Sequence, residues 1–174
     1  MLILDFAKAF DTVAHQRLLR KLEYYGVTGH LLRWIGAWLT RREQTVVTDG
    51  IKSNSVVVKS GVPQSTVLGP LLFLLYINDI GEETSSTKRL YADDCLLYRK
   101  IKTGEDRKML QEDLDKFVRW ADKCQMCFNP AKYYHLQISR SKKQSLHHYE
   151  MMGTRLESVK SQTYLGVEIT ENLS

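Results

Sequence analysis

LYADDCLLY, residues 90–98, sets two adjacent carboxylates, Asp93 and Asp94, inside an otherwise apolar, strand-like run. A carboxylate taken out of water without a partner is heavily penalised, and two side by side repel each other. Such a pair calls for a turn that reaches water, a cationic partner, or a metal ion. Residues 88–91 and 95–98 read as two short strands with Asp93-Asp94 as their connection. An acidic surface turn would account for the pair as well, since Asp is common in turns.

The opening of the chain, MLILDFAKAFD, repeats the puzzle, because Asp5 ends or interrupts an apolar strand over residues 2–6. A fold that sets the end of that strand beside the acidic turn would bring three carboxylates together. Three carboxylates with no His or Cys nearby are hard oxygen ligands, which suit Mg²⁺ or Mn²⁺ rather than zinc. Two such ions about 4 Å apart clamp the attacking and leaving oxygens in phosphoryl transfer.

Between and beyond these acids the chain mixes helices and strands without strict alternation, which predicts a single α+β domain. Helical spacing of Leu18, Leu19, Leu22 and Tyr25 predicts a helix over residues 13–25 that stops at Gly26. A second helix, residues 30–39, places Leu31, Ile35, Trp38 and Leu39 on one face. QTVVT, Asp49-Gly50 and a run ending in VVVK predict a hairpin with an Asp-Gly turn. Residues 66–80 form a helix apolar around its whole circumference, which predicts burial on all sides. Thr103 and Asp106 open a further helix in capping-box fashion, with Leu110, Leu114, Phe117 and Ala121 at regular spacing. Residues 135–139 and 164–169 are strand candidates. Asp11 is read as structural, a cap for the helix of residues 13–25.

With 174 residues, 43% hydrophobic and 26% charged, the chain is neither disordered nor membrane-like. A net charge of +5 permits a polyanionic partner without demanding one. Three cysteines make no disulfide framework, which points to a reducing, intracellular setting. Cys124 and Cys127 have zinc-knuckle spacing but no second pair follows, and the adjacent His147 and His148 would project in different directions. The basic run Arg140–Lys143 reads as a solvated loop that could touch a nucleic-acid backbone.

LDFAKAFDTV, SGVPQSTVLGPLLFLLYIND, YADD, FNPAK and YLGVEI stand in the order, and at about the spacings, of consecutive reverse transcriptase motifs. The chain most closely resembles the kind encoded by non-LTR (LINE-like) retrotransposons, over essentially its whole length. The resemblance implies a polymerase palm, an antiparallel sheet backed by helices, with part of the fingers and no thumb. It implies a palm truncated at both ends, lacking the upstream basic residues that grip the triphosphate. It implies two Mg²⁺ (or Mn²⁺) ions, with Asp5 and Asp93 as principal ligands, Asp94 the accompanying acid and the Phe6 carbonyl an extra ligand. The partners implied are an RNA template, a DNA primer and deoxynucleoside triphosphates, in an intracellular, nuclear setting and with no membrane.

The other site residues follow from the same resemblance. Phe10 looks like the gate beneath the sugar that collides with a 2′-hydroxyl, although a core aromatic is the alternative. Pro63-Gln64 resembles the loop that touches nucleotide and template, and a Gln amide both donates and accepts. Ser65 departs from the pattern, for the family usually has Gly there, the residue used for positive φ or close approach. Lys132 falls where the family has a lysine that protonates the leaving pyrophosphate, and a plain surface lysine is the alternative. Tyr164-Leu165-Gly166-Val167 looks like the hairpin near the primer end, or a buried structural strand.

Two other functions stay open at this point. A catalytically inactive relic, or nucleic-acid-binding remnant, is favoured by Ser65 and the abrupt start and opposed by the three intact acids. An RNA-templated RNA polymerase shares the palm, but bulky Phe10 leaves no room for a 2′-hydroxyl.

Overall fold

In the computed structural model, which describes residues 1–139 and 147–172, the chain opens with β1 (Leu2–Asp5), α1 (Ala9–Thr12), α2 (His15–Tyr24) and α3 (Gly29–Thr40). Four two-residue strands follow: β2 (Glu43–Gln44), β3 (Val47–Thr48), β4 (Ile51–Lys52) and β5 (Val56–Val57). Then come α4 (Leu68–Ile77), β6 (Thr87–Tyr91), β7 (Asp94–Tyr98), α5 (Gly104–Cys124) and a 3₁₀ turn at Pro130–Lys132. The remaining strands are β8 (Tyr134–Leu136), β9 (Glu150–Met151), β10 (Thr154–Arg155), β11 (Glu157–Val159), β12 (Ser161–Tyr164) and β13 (Val167–Thr170). This is the mixed α+β composition that the sequence predicts. The basic run Arg140–Lys143 lies outside the described residues.

The chain divides into two compact units, one of residues 1–7, 80–123 and from Cys127 on, the other of residues 8–79 and 124–126. The first is built on a five-stranded sheet in the order β11-β8-β1-β7-β6, antiparallel except for the β11–β8 pair. Successive strand residues face opposite sides, and the register sorts them. Ile3 pairs with Leu96 and Asp5 with Asp94, on the face that also carries Leu136 and is covered by Tyr164 and Ile169 of the β12–β13 hairpin. Leu2 pairs with Leu97 and Leu4 with Cys95 on the opposite face, all four fully buried. Phe6 continues that second face, its ring 6.2 Å from Trp120 of α5. The buried residues of α5 include Leu110, Leu114, Phe117 and Ala121, the stripe read from the sequence.

Local chemistry explains where these elements begin and end. Thr103 and Asp106 cap α5 reciprocally, the Asp106 carboxylate accepting from the Thr103 amide at 2.9 Å and the Thr103 hydroxyl from the Asp106 amide at 3.3 Å. The amides of Lys102 and Thr103 hold the Asp106 carboxyl down at about 2. In the β12–β13 hairpin, Leu165 and Gly166 both have positive φ, the signature of a two-residue primed turn that matches strand twist. A hairpin thus replaces the continuous strand expected over residues 164–169, and β8 is shorter than the 135–139 candidate.

In the second unit α2 ends as read, with Gly26 at φ 89 and Val27 N–H donating to the Leu22 carbonyl at 2.9 Å. Asp49-Gly50 makes the expected turn between β3 and β4, both residues at positive φ. Three expectations are corrected here. Leu31 is 54% exposed, because the buried seam of α3 runs through Ile35 and Leu39 instead. Within α4, Leu72, Phe73, Tyr76 and Ile77 are buried, but Leu71 and Leu74 stay about half exposed. Asp11 caps nothing: it lies in α1, and α2 starts after Ala14 without a side-chain cap.

Candidate active site

Asp94 is the first residue of β7, not part of the connection, so the turn between β6 and β7 is Ala92-Asp93. Ala92 adopts φ 49, a left-handed conformation that penalises a β-carbon. The one-residue displacement matters. It sets Asp94 directly across from Asp5 in the β1–β7 register, with both on the Ile3/Leu96 face, and leaves Asp93 at the turn. The two acids thus sit at the adjoining ends of β1 and β7, where the apolar run of that sheet face stops.

Asp5 is buried, and its Oδ2 accepts from the Lys132 ammonium. Its Oδ1 is buried with no hydrogen-bond partner. The backbone holds it as well: the Asn129 amide donates to the Asp5 carbonyl at 2.8 Å, and Phe6 bridges Phe128 with their rings stacked at 4.4 Å. Asn129 accepts from the Ala131 amide at 3.2 Å, capping the turn that presents Lys132. Burial first, and then the charges of Asp93 and Asp5, raise the Asp94 carboxyl, while Lys132 opposes them. The bond to Asp5 raises the Lys132 ammonium above the ordinary lysine range, with the Asp93 and Asp94 charges adding to it. Tyr164 is pushed up by burial and then by Asp94, which puts the Tyr164–Val167 turn within the field of the acids.

The donors gathered here are carboxylate oxygens, the type that hard divalent cations take. A buried carboxylate oxygen lacks any partner, a cationic ammonium already occupies the other, and two more carboxylates lie within electrostatic reach. Among the described residues, no three Asp, Glu, His or Cys side chains close around one point. Cys124 is buried, its thiol pushed up by burial, while Cys127 is exposed.

Phe10, Gln64 and Ser65 belong to the second unit. Phe10 is half-buried and stacks on Phe73 at 4.5 Å. Gln64 and Ser65 are exposed, in a loop that the Thr66 hydroxyl ties off by donating to the Pro63 carbonyl at 3.0 Å. Gly69 has no room for a β-carbon, which would stand 1.9 Å from the Pro63 carbonyl oxygen. Two residues missed by the sequence reading hold the start of this loop. His15 Nε2 and the Arg42 guanidinium both donate to the Gly61 carbonyl, at 2.8 and 2.6 Å. The only clue to them was a histidine at the head of an amphipathic helix.

Ser65 sits at φ 57, in the left-handed region where its β-carbon is strained by about 1–2 kcal/mol. Glycine there removes that strain at a smaller cost in chain entropy. We expect Ser65→Gly to stabilise the chain by up to about 1 kcal/mol in urea unfolding. An unchanged or lower stability would mean the loop has adapted to serine.

The five-stranded sheet thus pairs Asp5 with Asp94 across its inner strands β1 and β7, beside the YADD turn. The chain belongs to the reverse transcriptase (RNA-dependent DNA polymerase) family, which matches residues 1–169. It is similar to the RNA-directed DNA polymerase from mobile element jockey of Drosophila funebris, 29% identical over 180 residues covering 98% of this chain and 19% of that protein. It is similar also to the probable RNA-directed DNA polymerase from transposon BS of Drosophila melanogaster, 27% identical over 98% of this chain and 20% of that one. The Pol polyprotein from type-1 retrotransposable element R2 of Popillia japonica matches at 31% identity over 44% of this chain and 13% of its own length. These are the non-LTR elements that the ordered motifs resemble. The chain spans about a fifth of the length of the jockey and BS relatives. Among the described residues, no helix is long and apolar enough to cross a membrane.

Proposed function

We propose that this chain is the palm, with part of the fingers, of an RNA-directed DNA polymerase encoded by a non-LTR retrotransposon. The reaction is attack of a primer 3′-hydroxyl on the α-phosphate of a deoxynucleoside triphosphate, with pyrophosphate leaving. The observation that supports it best is Asp5 paired with Asp94 across β1 and β7, its Oδ1 buried and unpartnered. Asp5 and Asp93 would be the principal ligands of two Mg²⁺ or Mn²⁺ ions, with Asp94 and the Phe6 carbonyl beside them. When bound, the ions lower the pKa of the primer hydroxyl and neutralise charge on the triphosphate.

The chain's own residues hold this arrangement. The β1 backbone is paired on both sides, by β7 and β8, which fixes Asp5 against drift. Lys132, held protonated on Asp5, is the proton donor we assign to the departing pyrophosphate, through its Nζ. Gln64 and Ser65 would contact nucleotide and template from their exposed loop. The partners are then an RNA template, a DNA primer and deoxynucleotides, within the cell and, for a retroelement, the nucleus.

Primer extension on an RNA template with Mg²⁺, by a polypeptide carrying this chain within its natural flanks, tests the function. Absence of templated deoxynucleotide incorporation would favour the inactive remnant. Phe10 supplies a sharper test. As the sugar gate, Phe10→Ala should admit ribonucleotides and cut discrimination by about 10–100-fold, with deoxynucleotide use retained. Equal discrimination in parent and variant would make Phe10 the packing partner of Phe73 alone.

A further inference from the structure

A cavity of about 410 Å³ lies in the first unit among Arg99, Arg107, His135, Gln137, His147 and Tyr149, with no acid among the described residues that line it. It belongs to the other face of the sheet from the acids. Leu136 shares the Ile3/Leu96 face, so its neighbour His135, paired with Leu2, faces the opposite side. His135 is 93% buried, at 7% exposure, and its Nδ1 has no hydrogen-bond partner. An unpartnered nitrogen in so buried a ring is costly.

The neighbours of the His135 ring are aromatic and cationic. Tyr149, itself buried, stands between the two imidazoles, 4.9 Å from the His135 ring and 4.8 Å from the His147 ring, edge-on to both. Arg107 of α5 is half-buried and has no ion-pair partner among the described residues. Burial, and then the Arg107 charge, hold the His147 imidazole below its ordinary value. His135 is lowered to about 4, by burial first and then by nearby positive groups. Arg99 is paired with Asp106 at 3.5 Å, so the charge left without an acid is that of Arg107, with the imidazoles and a Gln137 amide as further polar groups.

We infer that this cavity binds a phosphate group, held by the Arg107 guanidinium beside the His135 imidazole. A guanidinium fork suits the several oxygens of phosphate, and the volume falls in the range of small-ligand sites. The phosphate could be that of a free nucleotide or of a polynucleotide backbone, and the two are separable by experiment.

The 174-residue chain is titrated by calorimetry with inorganic phosphate, a nucleoside monophosphate, a single-stranded pentanucleotide and acetate. Phosphate-bearing probes should bind, and acetate should not compete. Arg107→Ala should weaken binding at least about tenfold. Lys108→Ala, the same loss of charge at an exposed neighbour outside the cavity, should leave it unchanged. If Arg107→Ala does not fold, the ¹⁵N ring resonances of His135 and His147 in the parent report instead, shifting with phosphate while those of exposed His30 stay fixed. Saturation by monophosphate and inorganic phosphate assigns a free ligand, and binding of the pentanucleotide alone assigns a backbone contact. No binding at 10 mM of any phosphate probe, equal losses in the two variants, stationary His135 signals, or tighter binding of acetate would each overturn the assignment.

Discussion

Asparagine at Asp5 or Asp93 is expected to reduce RNA-templated primer extension by about a thousandfold or more, with the fold retained. On the proposed function these two acids would hold hard divalent ions, for which an amide is a poor ligand. Such an ion supplies several kcal/mol of charge stabilisation, each 1.36 kcal/mol being tenfold in rate. The two positions are not equivalent in what else they disturb. Asp5→Asn also removes the charge that holds Lys132, so part of its effect passes through that lysine. Asp93 repels Asp94 across the turn, and Asp93→Asn relieves that repulsion. Its melting temperature in metal-free buffer should therefore equal or exceed the parent's. Extension within a few-fold of the parent, measured in an active polypeptide that contains this chain, would remove Asp5 and Asp93 from the chemistry.

Much of the fold was legible where its local signals are strong. Asp49-Gly50 fixed a hairpin by turn chemistry, and Thr103 with Asp106 fixed the start of α5 by reciprocal hydrogen bonds. Composition alone identified three acids in apolar surroundings. The pairing of Asp5 with Asp94 could not be read the same way, because it crosses a separation that no local periodicity spans. The displaced turn escaped for a different reason. Alanine is not a turn-forming residue, so nothing announces that Ala92 takes the left-handed conformation. In α4, apolar residues on every side conceal which side is covered, and Leu71 and Leu74 turn out to be half exposed. His135 was simply one residue of a strand candidate, since a missing hydrogen-bond partner is a property of packing.

Asp113 shows the same limit and carries the largest expected effect on stability. In sequence it is an ordinary charge on an amphipathic helix, yet in α5 it is 1% exposed. Its carboxylate accepts from the Ser86 amide at 2.7 Å, the Ser85 amide at 3.1 Å, the Ser85 hydroxyl at 3.0 Å and Lys116 at 2.9 Å. These bonds tie down the residues immediately before β6, the strand that leads into the acidic turn. Asp113→Ala leaves the buried Ser86 amide without its acceptor and should cost about 3 kcal/mol or more in urea unfolding. The pH dependence follows with a definite sign. Burial alone would raise this carboxyl, but the bonds from Lys116, Ser86 and Ser85 outweigh it and hold it at about 2. The unfolded chain binds that proton near the ordinary value of 3.8, so the stabilisation is fully present above about pH 4. It is lost as pH falls toward 2, and amounts to about 2 kcal/mol. Asp113→Asn should be destabilised at pH 7 and should lack this component of acid sensitivity. Parallel stability curves for parent and Asp113→Asn between pH 5 and pH 2 would show that the carboxylate is not the anchor of β6.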